Sequence, residues 1–146
     1  MICRTVFTAF AALVLLSAAP LHATSRDGER ARFDLCGTGA RVTCVVDGDT
    51  FWYGGTKVRI ADINTPETSQ PGCAAEAKLG LRATRRLVQL LNEGPFTLEI
   101  KGRAQDRYGR ALRVVTRGGA SLGAILETEG LAEHWQGKRR DWCQAA

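Results

Sequence analysis

The chain has 146 residues, a net charge of +5 and 45% hydrophobic residues, enough for one core and too few for two. Arginine supplies most of the positive charge, with lysine only at 57, 78, 101 and 138. That balance suits phosphate-rich partners, although a solvated arginine surface gives the same composition.

Arg4, the apolar run Val6 to Ala19 and the small residue Ala23 have the layout of a secretory leader. Residues 1–23 are read as a signal peptide, 24–40 as an N-terminal arm and 41–146 as the folded domain. The apolar run ends at Pro20 and is short for a membrane span. No second one follows, so the protein is expected to be exported, periplasmic or secreted, with no membrane attachment once the leader is removed. Cys3 leaves with the leader. An even set of four then remains, Cys36, Cys44, Cys73 and Cys143, which in an exported small domain suggests two disulfides. Of the three connectivities, Cys36–Cys44 with Cys73–Cys143 is favoured. A zinc site is disfavoured, because no CxxC spacing occurs and His134 is the one histidine outside the leader.

Thr24 to Asp34 is charged, lacks periodicity and reads as a loose arm. Arg41 to Val46 suits a first strand. Thr50 to Tyr53 and Thr56 to Ile60 flank Gly54-Gly55, a two-residue hairpin signal. Asn64 to Gly72, with Pro66 and Pro71, reads as loop. From Cys73 to Leu91 the apolar period lengthens (Ala77, Leu81, Thr84, Leu87, Val88, Leu91), which predicts a helix with arginines outward. Gly80 in its middle is expected to mark close packing on the sheet. Phe96 to Ile100 alternates as a fourth strand, with Phe96, Leu98 and Ile100 on one face. Ala111 to Thr116 is a fifth. Ser121 is a suitable N-cap for a short helix that turns Leu122, Ile125 and Leu126 inward and stops at Gly130. This order predicts an α+β, mainly β fold: a five-stranded OB-type Greek-key barrel with two helices.

The chemistry concentrates in VVDGDTFWYGGTKVRIADINTPET, residues 45–68. Asp47-Gly48 is adequate as turn chemistry. Asp49 is less easily explained, because aspartate disfavours strands and Asp47 repels it. A hard-cation ligand is the better reading, and oxygen donors without imidazole or thiolate favour calcium or magnesium. Asn64, Thr65 and Glu67 add oxygens, with Glu67 able to act as a general base or to sit as an exposed loop acid. Arg59 and Arg110 are candidates for holding a phosphoryl group, with a surface role as the alternative. Asp106-Arg107-Tyr108-Gly109-Arg110 presents the second of them on a glycine-containing turn.

Taken together, VDGDT, VRI…NTPET, DRYGR and LETEGLA occur in the order and spacing of the staphylococcal nuclease (thermonuclease) family, which residues 41–132 resemble. The resemblance implies an OB-type barrel and a calcium-dependent phosphodiesterase acting on DNA and RNA. It implies that Asp49, Asn64 and the main-chain oxygen of Thr65 ligate calcium. Glu67 would activate water, and Arg59 and Arg110 would stabilise the transition state. Arg107 and Tyr108 would contact a terminal phosphate. The implied products carry 3′-phosphate and 5′-hydroxyl ends, and a monomer is expected.

Two departures stand out. Asn64 occupies the position of a second calcium-binding aspartate, which removes one negative charge; Asp62 is a possible substitute on the same strand face. In a regular strand Arg59 and Asn64 would point to opposite faces, so a bend is required between them. The tail also ends soon after LETEGLA, leaving Trp135 or His134 to stack on a base, or Trp135 to pack beneath the tail. The alternative to an enzyme is a catalytically impaired OB-fold nucleic-acid-binding domain of the cell envelope, with a non-enzymatic interaction domain as a third class.

Overall fold

The computed structural model describes residues 27–144. The leader read in residues 1–23 lies outside them. Among the described residues, no helix is long and apolar enough to cross a membrane.

Three strands open the domain: β1 (Cys44–Asp47), β2 (Thr50–Tyr53) and β3 (Thr56–Ile60). The β2–β3 hairpin turns on Gly54 and Gly55, whose φ values of 55° and 81° are readily available only without a Cβ. After a break at Ala61-Asp62 comes β4 (Ile63–Asn64), then helix α1 (Ala74–Asn92). The remaining elements are β5 (Thr97–Glu99), β6 (Ala111–Arg117), β7 (Ala120–Ser121), helix α2 (Leu122–Thr128) and β8 (Glu133–His134). The main sheet runs β1-β2-β3-β6-β5 with β7 on β6, and β4 pairs with β8 separately. Among the named strand pairs of the described residues β3–β6 is the parallel one, and it places Arg59 opposite Leu112.

The strand order and two helices are those of an OB-type α+β domain, but β1 and β5 do not pair and the sheet is open. The residues before β1 bridge that gap. Glu29 exchanges two main-chain hydrogen bonds with Phe96 beside β5, while Asp34 and Cys36 bond Val45 on β1. The expectation of a loose arm from Thr24 to Asp34 therefore fails over its described part, residues 27–34. Phe33, fully buried, packs on Phe51, Tyr53 and Phe96 at centroid distances of 5.8–6.0 Å. Burying that ring contributes about 1.5–3 kcal/mol, and it acts together with the main-chain bonds and the Asn92 side chain, which bonds Phe33 N and O.

Helix α1 buries Gly80, Ala83, Thr84, Leu87, Leu90 and Leu91. Leu81, expected inward, is 48% exposed. Gly80 is the reason the inward face rotates: a Cβ there would come within 2.9 Å of the carbonyl oxygens of Pro66 and Glu67. The close approach marked by this glycine is thus to the 66–67 loop and not to the sheet. Ile100, expected on the Phe96–Leu98 face, falls beyond β5 and is exposed. Ser121 caps α2 by accepting from Ala124 N, and Leu122 and Leu126 are buried as expected. Cys36–Cys44 and Cys73–Cys143 are the two disulfides.

Candidate active site

The site begins where β1 turns into β2. The Asp47-Gly48-Asp49 turn sits directly on α1: a Cβ on Gly48 would meet Ala83 Cβ at 2.7 Å and the Thr65 side chain at 2.9 Å. This packing buries Asp49, which is 7% exposed. Its Oδ1 accepts from Thr50 Oγ1 at 2.8 Å, and its Oδ2 accepts from Thr65 N at 3.1 Å. The same Oδ2 lies 3.3 Å from Arg59 Nη2. Asp49, Arg59 and Thr65 thus form one buried network, and Asn64 is buried beside it.

The bend required between Arg59 and Asn64 is the break after Ile60. Arg59 holds it together, its Nη1 donating to the carbonyl of Ile60 and, at 2.9 Å, to that of Ile63. Asn64 Nδ2 donates to Glu133 Oε1 at 3.3 Å across the β4–β8 pair. Asp62 is engaged at the start of α2, where its Oδ2 accepts from Ser121 Oγ at 2.6 Å, while its Oδ1 is buried without a protein partner. Trp135 is partly exposed, at 36%. It lies over Arg59, 5.5 Å from guanidinium carbon to ring centroid, a cation–π contact.

Glu67 is placed by contacts from two other segments. Its N–H donates to Glu76 Oε1 at 3.1 Å, and its own Oε1 lies 2.6 Å from Arg139 Nη1. It is close enough to Asp47 to act on it. Burial first, then the charge of Asp49, pushes the Asp47 carboxyl up to about 7, with Glu67 adding to the rise. Asp47, read from sequence as turn chemistry, therefore belongs to the carboxylate cluster.

Arg110, Arg107 and Tyr108 form a second group at the start of β6. Asp106 Oδ1 accepts the N–H groups of Tyr108 and Arg110, and its Oδ2 accepts from Arg110 Nε at 2.6 Å. Both arginines lie against the Tyr108 ring, at 4.8 Å for Arg107 and 5.6 Å for Arg110. This group adjoins the Asp49 network through the β3–β6 pairing, in which Val58 faces Ala111.

Among the described residues, no three His, Cys, Asp or Glu side chains form a ready-made metal cage. The neighbouring donors are hard: carboxylates at Asp47 and Asp49, the main chain at Thr65, whose N–H already bonds Asp49, and the amide of the adjacent Asn64. Burial and the charge of Asp49 together disfavour ionised Asp47, and a divalent cation would offset both carboxylates, so these oxygen donors fit calcium or magnesium. Glu76, Glu133, Arg139 and the role of Trp135 were not singled out by sequence. Glu76 carried a signal, three residues after a helix N-cap; Glu133 and Arg139 carried none.

A buried carboxylate–guanidinium pair at Asp49 and Arg59, with a second arginine held by Asp106 on the neighbouring strand's approach, sits on an OB-type α+β sheet. The staphylococcal nuclease homologue family model matches residues 57–145, and the chain belongs to that family. It is 40% identical over 92 residues to Endonuclease YncB of Bacillus subtilis (strain 168), covering 60% of this chain and 43% of the relative. It is 41% identical over 92 residues to the SPbeta prophage-derived endonuclease YokF of the same organism, covering 60% and 31%. The chain thus spans less than half the length of either relative.

Proposed function

We propose that this protein is an exported, monomeric, calcium-dependent nuclease that hydrolyses DNA, RNA or both to products with 3′-phosphate and 5′-hydroxyl ends. The observation that carries the reading is the buried network of Asp49, Arg59 and Thr65 with Glu67 and Asp47 beside it. Family membership and two relatives named as endonucleases support it. The two disulfides accord with an oxidising compartment.

Asp49, Asn64 and the Thr65 carbonyl would hold the calcium ion. When bound, the ion supplies positive charge that draws electron density from the phosphodiester. Glu67 accepts a proton from the attacking water, whose oxygen forms the new bond to phosphorus. The phosphorus–O5′ bond breaks, and the departing oxygen takes a proton from solvent to become the 5′-hydroxyl. Arg59, fixed by Asp49 and two carbonyls, stabilises the negative charge that builds on the phosphoryl oxygens. Arg110 does the same from the turn that leads into β6, aimed by Asp106, and Arg107 with Tyr108 receives a terminal phosphate.

A second reading, an OB-fold binding domain that has lost turnover, draws on one observation: Asn64 stands among the donors with its amide given to Glu133. Digestion of DNA and RNA with calcium and with chelator, followed by end-labelling of the fragments, separates the two. The nuclease reading expects chelator-sensitive cleavage whose fragments accept phosphate at free 5′-hydroxyls. Binding without cleavage favours the second.

A further inference from the structure

We infer that Glu76 and Arg139 are positioning residues for Glu67, and that the Cys73–Cys143 disulfide joins their two holds into one device. The inference rests on the proposed role of Glu67 as base. Glu76 is 8% exposed in the first turn of α1, yet its carboxylate does not stay within the helix. Oε1 accepts from Glu67 N at 3.1 Å and Oε2 from Gly72 N at 2.6 Å. These amides bracket residues 67–72, which carry Pro71 and no regular structure. One buried carboxylate thus clasps both ends of the loop that presents Glu67.

Arg139 holds the side chain from the opposite end, at 2.6 Å from Glu67 Oε1, leaving Oε2 for water. With its side chain 68% exposed, such a pair is weak on its own. It becomes effective when its partner cannot diffuse away. Cys143, four residues on, is bonded to Cys73, the N-cap residue three positions before Glu76. Its sulfur lies 3.9 Å from Glu76 Oε2, and a Cβ on Gly72 would meet it at 3.3 Å. One covalent bond therefore tethers the segment that carries Arg139 to the turn that carries Glu76. A dithiol reductant would convert the disulfide to two thiols, itself becoming a disulfide, and so loosen both holds. Cys36–Cys44 joins residues 36 and 44 near β1 and touches neither.

The test compares oxidised and dithiol-reduced protein, Cys143→Ser, Arg139→Gln, Arg139→Lys and the Cys36→Ser/Cys44→Ser control. Steady-state cleavage of an oligonucleotide with calcium and amide hydrogen exchange at Glu67 and Gly72 are the readouts. Reduction and Cys143→Ser are expected to lower kcat roughly tenfold, since a small misplacement of a reacting group is costly, with KM nearly unchanged. Exchange at the two amides should rise in both. Arg139→Gln, at an exposed position that does not threaten folding, should lower kcat and Arg139→Lys should restore most of it. The control should keep wild-type kcat. Unchanged kcat and exchange on reduction, a higher kcat in Arg139→Gln, or an equal loss in the control overturns the inference. Hydrogen exchange reads the tether even if the oxidised protein cleaves nothing, so failure of the nuclease reading is separable.

Discussion

Arg59 and Asp49 meet at 3.3 Å, each with a side chain only 10% exposed, where β3 is about to break. The guanidinium also ties the Ile60 and Ile63 carbonyls, so it serves the bend and the site together. Arg59→Ala strands a buried carboxylate and should cost about 3–5 kcal/mol in urea unfolding. Adding Asp49→Ala to it should recover part of that loss. Cleavage should fall on the order of 10²–10³-fold, as when a transition-state donor is removed.

Asn64→Asp would restore a carboxylate to the donor set but would set it against Glu133, now 3.3 Å from the amide nitrogen. Without calcium the variant should melt lower than wild type. Its calcium affinity, followed by calorimetry, should rise roughly tenfold with the added ligand charge. Glu133→Gln in the same chain should remove the melting penalty. Additive effects of the two substitutions would show that these residues do not interact.

Arg110 depends on Asp106 for its direction. Burial alone would raise the Asp106 carboxyl, but the hydrogen bonds from Arg110 and Tyr108 prevail and hold it below its ordinary value. A depressed folded value means that its contribution to stability is complete at neutral pH and is lost as pH falls through the folded value. Asp106→Asn should therefore melt below wild type at pH 7, with the gap narrowing below about pH 4. Its kcat should fall at neutral pH, because the bond to Arg110 Nε loses its charged acceptor.

Phe33 lies before the first strand, yet it packs against the rings of Phe51, Tyr53 and Phe96. Phe33→Ala should cost about 3–5 kcal/mol by thermal or urea unfolding. A loss within 0.5 kcal/mol would mean that the segment bridging β5 and β1 is dispensable to the core.

What could be read from sequence was local. The Gly54-Gly55 turn, the cap at Ser121 and the bend demanded between Arg59 and Asn64 each follow from a few adjacent residues. What could not be read depends on distant partners. The β4–β8 pair joins two-residue strands about seventy positions apart, too short to show any period. Arg139 reaches Glu67 from a tail whose sequence resembles any basic segment. Phe33 is a lone aromatic among charges, and only its neighbours in the fold reveal it as core. Asp62 and Asn64 looked interchangeable by parity; the break at Ala61-Asp62 separates them, sending one to Ser121 and the other to Glu133.

The central claim is that Glu67 takes a proton from water beside a cation held at Asp49. Its most direct test is the single-turnover cleavage rate of single-stranded DNA by Glu67→Ala and wild type, with saturating calcium and with chelator. The account predicts that chelator abolishes wild-type cleavage. It also predicts that the substitution slows cleavage by roughly 10²–10⁴-fold while DNA binding, measured by fluorescence anisotropy, is retained. Cleavage by Glu67→Ala at the wild-type rate would contradict it.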